Sequence, residues 1–321
     1  MSTRRTFIGA VGAMLLTASP FVSAQVAGKR RVSFLGISSF NPIIAQFAFG
    51  LRELGWIEGS NLILDMRFAQ GDVTRWAPLT GELLALQPDV FVTTADYMAE
   101  AAAAATKTIP IVFVIGTDPV GRGLVRSLAR PGSNVTGFSV QDNQLFPKRM
   151  ALLKEAIPGL DKVGVFVGSR DRFGLEYLED ARRKLGLVFV PAFLAKPDDI
   201  DVAFETFSRA GVKGVMDYSG GGMTFHERER VAALAIKHRM PMFGQPPVAD
   251  SGVLLTYGAD VLAVFKRAAS LVDRILKGAN PADIPIEQVD VYELVINLRT
   301  ARALGIELPR SLVLQATRVI E

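Results

Sequence analysis

The feature that most constrains this chain is an alternation repeated along it. A short apolar run, a polar turn and a longer segment with helical spacing follow one another again and again. The runs at 32–36, 62–68, 90–94, 111–114 and 135–138 are rich in β-branched and aromatic residues, as strands buried on both faces are. Helical patterns at 41–54, near 74–86, at 97–106 and at 120–128 lie between them, the first opened by Asn41 as cap and Pro42 in the first turn. Such alternation implies parallel strands joined by crossover helices, an α/β sheet. A further helix, near 144–156, ends at Pro158-Gly159, and the series then restarts. Lys162-Val163-Gly164-Val165-Phe166-Val167-Gly168 echoes Arg31-Val32-Ser33-Phe34-Leu35-Gly36. Helices at 173–185, 198–210 and 223–239 and strands at 187–192, 213–217 and 241–243 follow. The echo points to two similar Rossmann-like lobes rather than one long sheet. Downstream, a strand at 253–257, a long helix at 259–277, an extended piece at 286–289 and a helix at 291–303 are placed to cross back between lobes. Several crossings without a Gly/Ser linker make a hinge rather than a tether.

The first 24 residues follow a different logic. Arg4-Arg5 precedes an apolar stretch at 7–16, Ser19-Pro20 breaks it, and Val22-Ser23-Ala24 forms a small-residue cleavage pattern. The apolar core is too short for a span of about 20 residues, so residues 1–24 read as a secretory signal peptide. Ser2-Thr3-Arg4-Arg5-Thr6-Phe7-Ile8 resembles a twin-arginine export signature, with an ordinary Sec signal as the alternative; both send the chain to the periplasm. Losing this leader removes two arginines and no acids, so the net charge of +4 falls to +2. With no basic run longer than Lys29-Arg30-Arg31, no nucleic-acid partner is expected. The absence of cysteine excludes disulfides, thiolate catalysis and thiolate metal sites. The mature chain is expected not to be membrane-embedded and to be a monomer. The expected lobes are 32–142 with 256–284, and 143–255 with 285–321.

Motifs for catalysis are missing. His226 and His238 are the only histidines and fall in no His-Glu-x-x-His pattern, so no metal is expected. There is no Gly-x-Ser-x-Gly elbow, no P-loop ending after Ser219-Gly220-Gly221-Gly222 and no G-x-G-x-x-G fingerprint after the first strand. The expectation is therefore no enzyme and no cofactor. What remains is a set of polar residues just after predicted strands, where open α/β sheets hold ligands. In the first series these are Ser38 and Ser39, Thr94 and Asp96, and Thr117 and Asp118; in the second they are Ser169, Arg170 and Asp171, then Asp217 and Ser219, then Gln245. Phe40 and Tyr97 stand beside them, positioned to stack on a ligand. Asp96 also fits a helix cap, and Asp118 also fits a turn.

Longer segments carry a resemblance. GLRELGWIEGSNLILDMRFAQGD at 50–72, TIPIVFVIGTDPVGRGLVRSLARPGSNVTG at 108–137 and KRMALLKEAIPGLDKVGV at 148–165 are three of them. YGADVLAVFKRAASLVDRILKGANPADIPIEQ at 257–288 and ELVINLRTARALGIELPRSLVLQATRVIE at 293–321 are the others. Over essentially the whole mature chain the sequence resembles the ABC-transporter substrate-binding protein family whose characterised members bind tryptophan, tyrosine or phenylalanine. The resemblance implies a type I periplasmic-binding-protein fold: two α/β lobes with parallel sheets, a three-crossover hinge and a ligand between the lobes. It also implies delivery of a small solute to a membrane permease. The ligand-binding loops it implies are Ser38–Phe40, Thr94–Tyr97, Thr117–Asp118, Ser169–Asp171 and Asp217–Gly221. Two departures stand out. Ala95-Asp96-Tyr97 replaces a small Gly-Thr-Pro-type turn, and Gly168-Ser169-Arg170-Asp171 replaces an Asn-Pro turn. Both change size and charge in the expected cleft, so the ligand expected is a small polar or amino-acid-like solute. A ligand-presenting sensor module and a hydrolase on the same scaffold are the alternatives.

Overall fold

The computed structural model describes residues 28–140, 142–168, 175–218 and 222–321. The expected signal peptide at 1–24 lies outside them. In the first half, strands β1 (Arg30–Gly36), β2 (Leu62–Phe68), β3 (Val90–Ala95), β4 (Ile111–Gly116) and β5 (Val135–Ser139) alternate with helices α1 (Asn41–Glu53), α2 (Trp76–Ala85) and α3 (Asp96–Ala105). The second half holds α4 (Asp142–Ala156), β6 (Lys162–Gly168), α5 (Leu175–Leu185), β7 (Val188–Leu194), α6 (Asp199–Ala210) and β8 (Gly214–Tyr218). It continues through α7 (Gly222–His226), α8 (Arg228–Lys237), β9 (Met242–Gly244), β10 (Leu255–Ala259) and α9 (Val261–Leu276). The chain ends with β11 (Glu287–Gln288), β12 (Tyr292–Asn297), α10 (Leu298–Leu304), α11 (Arg310–Gln315) and β13 (Arg318–Ile320).

Two sheets result. The first is six-stranded in the order β11-β5-β4-β3-β1-β2, the second seven-stranded in the order β13-β12-β10-β9-β8-β6-β7. All pairings are parallel except β10 with β12. Each sheet has its own core: Phe34, Phe47 and Phe265 meet in the first, while Phe166, Phe204 and Phe207 meet in the second. The chain passes between the sheets after β5, after β10 and after β11, which makes three crossovers.

Helix α9 returns to the first lobe and lies against α1. Their approach needs Gly50, because a Cβ there would stand 2.5 Å from the Lys266 carbonyl oxygen. Sheet membership moves two expected lobe boundaries. Residues 256–259 belong to β10 in the second sheet, and β11 pairs with β5 in the first. A strand takes the partner that completes its hydrogen bonds, and hydrophobic pattern alone does not name that partner.

Other expectations shift for local reasons. The expected helix at 120–128 is a series of turns. Asp118 accepts a hydrogen bond from the Gly121 N–H at 2.8 Å, and Gly123 takes a φ of 69°, so the helical path is lost. The cap of α1 is Phe40 rather than Asn41, with Pro42 in the first turn. The expected helix at 223–239 is broken at Glu227 into α7 and α8. The expected helix at 291–303 is half strand. Residues 292–296 pair antiparallel with β10 and bury Val295 and Ile296, so tertiary pairing overrides helical spacing.

Glu293 on β12 faces Gly258 across the ladder, near Asp260 at the second crossover. Burial pushes its carboxyl above the ordinary 4.5, Asp260 and Asp250 push the same way, and Arg318 opposes them. Ionising it costs the folded chain more than the unfolded one. Its contribution is therefore most favourable below 4.5 and declines as pH rises through the raised folded value. Glu293→Gln is expected to raise the melting temperature at about pH 7 and to change it little near about pH 4. Scanning calorimetry at both pH values checks this.

Candidate functional site

The carboxyl ends of the parallel strands of both sheets face each other across a cleft, the place where open α/β sheets leave polar turns for a ligand. A cavity of about 90 Å³ lies there. From the first lobe it is lined by Ile37 and Ser38 after β1, Thr94 and Ala95 at the end of β3, Tyr97 in α3, Ile115 and Thr117 around the end of β4, and Val140 after β5. From the second lobe come Tyr218 at the end of β8, Phe225 on α7, and Gln245 and Pro247 after β9. Val261 at the start of α9 closes the hinge side. Among the described residues the lining carries no charged side chain. It is an apolar box with hydroxyl groups and one amide on its walls.

The lobes are closed on one another. Phe40 meets Phe225 edge to face at 5.3 Å between ring centroids. Gln70 and Gly71 take left-handed φ values of 56° and 77°, which turn the chain after β2 onto α7. A Cβ on Gly71 would stand 3.1 Å from His226 Cβ, tighter than ordinary packing, and its left-handed φ itself favours glycine.

The structure divides the expected site residues into groups. Ser38, Thr94, Tyr97 and Thr117 line the cavity. Phe40 stands at its rim against Phe225. Ser39 is exposed and accepts a hydrogen bond from Gln70 Nε2 at 3.4 Å. Ser169, Arg170, Asp171 and Ser219 lie outside the described residues.

Three expected carboxylates, Asp96, Asp118 and Asp217, are not among the cavity-lining residues, and each accepts hydrogen bonds from within the protein. Asp96 has no solvent exposure. Its oxygens accept from the backbone N–H groups of Thr117 at 2.7 Å, Asp118 at 3.0 Å and Tyr97 at 2.9 Å, and from Thr117 Oγ1 at 3.2 Å. Arg122 Nε stands 3.6 Å away. Burial pushes the Asp96 carboxyl above its ordinary range, opposed by Arg122 and by the Asp118 and Thr117 donors. Asp96 thus ties the β4 turn to α3. Asp118 shapes that turn through Gly121. Asp217 is buried and accepts from Thr224 Oγ1 at 2.7 Å, anchoring α7 to β8.

Reasoning from polar strand ends did not reach the apolar half of the lining. Ile37, Ile43, Ile44, Ile115, Val140, Phe225 and Val261 all face the cavity. The same strand-end rule would have found Ile37, Ile115 and Tyr218 had it not been restricted to polar residues. Phe225 carried no such signal, since it comes to the cleft only through the short α7. Of the histidines, His238 stacks on Phe204 at 5.5 Å and its Nδ1 lies 3.0 Å from Ser208 Oγ. No group of three or more His, Asp or Glu side chains is placed to hold a metal among the described residues.

Solved structures share this architecture. A conserved domain protein from Vibrio cholerae matches with a TM-score of 0.82 and 28% identity, over 91% of this chain and 99% of that one. The ABC domain in complex with L-Trp from Streptococcus pneumonia matches with a TM-score of 0.80 and 23% identity, over 91% and 100%. The two mostly parallel sheets and three crossovers are thus those of a type I periplasmic binding protein. A tyrosine-binding protein from Clostridioides difficile is 27% identical over 265 residues, which cover 81% of this chain and 76% of that one. The model of the family described as ABC transporter substrate binding protein matches residues 33–320, and the chain belongs to that family.

Proposed function

We propose that this chain is the solute receptor of an ABC importer. It encloses one small solute between its lobes and presents the closed form to a membrane permease. The observation that carries this is the cavity itself, built from the strand ends of both sheets and covered by cross-cleft contacts. Such a site binds through closure, and a ligand that touches both walls favours the closed state by its differential affinity.

The lining selects an apolar body of modest size with a polar head to meet the Ser38, Thr94 and Thr117 hydroxyls and Gln245. An aromatic amino acid has this form, and the tyrosine-binding relative and the L-Trp complex support that class. The role needs no bond-making step. Residues 1–24 would act as the export leader and deliver the chain to the periplasm. No helix among the described residues is long and apolar enough to cross a membrane.

The test is native mass spectrometry of the purified protein, followed by denaturation and identification of the released molecule. A thermal-shift panel of amino acids and aromatic acids accompanies it. A true ligand at about a hundredfold over its Kd is expected to add about 2.7 kcal/mol of stability. The proposal fails if nothing is released and no solute shifts the melting temperature.

A further inference from the structure

One segment of the second lobe, residues 223–228, makes the closing contacts with the first. Arg228 opens α8, and its side chain is 21% exposed. The guanidinium carbon lies 4.8 Å from the Phe40 ring centroid and 5.6 Å from the Phe225 centroid. Those two rings meet edge to face at an interplanar angle of 88°. Arg228 Nη1 also donates to the Phe225 carbonyl at 3.3 Å. Its carboxylate neighbour, Glu229, is 3.5 Å away and 80% exposed, so that ion pair adds little. The aromatic contacts are the partly desolvated ones.

We propose that Arg228 is a positioning residue for solute capture: it clasps Phe225 to Phe40 across the cleft and thereby sets the lifetime of the closed state. This rests on the solute-receptor reading, because Phe225 is also a wall of the cavity. The Arg228–Phe225 contact lies within the second lobe and survives opening. The contacts of both residues with Phe40 join the lobes and exist only when the cleft is shut. A cation over an aromatic face and an edge-to-face pair are each modest, but both are spent on one of two states. Differential stabilisation of that kind shifts the equilibrium toward closure without touching the solute's polar head. Lysine would keep the charge but lose the broad planar guanidinium that stands within reach of both rings.

The test uses the full chain without added solute. Small-angle scattering should show a larger radius of gyration for Arg228→Ala than for wild type, with Arg228→Lys between them. Phe40→Ala should match Arg228→Ala, and the double variant should be no more open than either single one. Release of the co-purified solute should be about tenfold faster in Arg228→Ala with an unchanged association rate. Superimposable scattering for wild type and Arg228→Ala overturns the clasp, as do fully additive effects of the two substitutions. A broad loss of thermal stability with unchanged scattering also overturns it, because Arg228 would then serve only the second lobe. Wild type that releases no solute, together with a preserved scattering difference, would sink the receptor reading and leave the clasp standing.

Discussion

Replacing Ser38 with tryptophan is expected to abolish solute capture while leaving the fold in place. Ser38 sits on the loop after β1, half-buried, and points its small side chain at the cavity from the first-lobe wall. The cavity is only about 90 Å³, so an indole there occupies the volume the solute needs. Close-packed walls give way poorly to an added ring, and Ile37 beside it is already buried. Affinity should fall at least about a hundredfold, which corresponds to roughly 2.8 kcal/mol. Stability should change by no more than about 0.5 kcal/mol, because Ser38 itself faces the cavity and is not part of either core. Ser38→Ala provides the graded comparison, since it removes a hydroxyl without filling space and should cost about tenfold or less. Native mass spectrometry of the purified variants checks both outcomes. Ser38→Trp that still carries a stoichiometric solute would place the binding site elsewhere.

The architecture was legible because each of its levels left a mark in the sequence. Runs such as Val32-Ser33-Phe34-Leu35 and Val163-Gly164-Val165-Phe166 are strands buried on both faces, and their recurrence announced two sheets. The strand-end rule then reached Ser38, Thr94, Tyr97 and Thr117, which line the cavity between the lobes. What escaped was whatever depends on a partner distant in sequence. Residues 292–296 carry a helical spacing, yet β10 recruits them as a strand. Asp96 and Asp118 occupy neighbouring strand-end positions, but only the folded backbone shows that both Asp96 oxygens are taken and that Asp118 Oδ1 holds its own turn. Phe225 reaches the wall on α7, which Thr224 ties to Asp217 at the end of β8. A polar residue at a strand end faces two competing uses, ligand and turn, and the count of backbone N–H groups within its reach decides between them.

That competition makes Asp96→Ala the most informative stability experiment on the chain. The Asp96 carboxylate is wholly buried and gathers the N–H groups of Tyr97, Thr117 and Asp118, the Thr117 hydroxyl and, at 3.6 Å, Arg122. Alanine removes the common acceptor and leaves those donors facing one another. Arg122, whose side chain is 11% exposed, loses this charge partner while its 3.1 Å pair with the more exposed Glu100 remains. Breaking a buried pair from one side costs about 3–5 kcal/mol, and each stranded donor adds to the penalty. The variant should therefore unfold at markedly lower urea, by about 3 kcal/mol or more. Asp96→Asn should fall between it and wild type, since its amide keeps one acceptor oxygen but turns an NH₂ toward the ring of donors. The alternative, that Asp96 meets a charged group of the solute, predicts the opposite pattern: binding lost, stability kept within about 1 kcal/mol. Urea unfolding and solute titration on the same two variants separate the two. A strong loss of stability with residual binding in the folded fraction assigns Asp96 to the scaffold that holds Thr117 at the cavity wall.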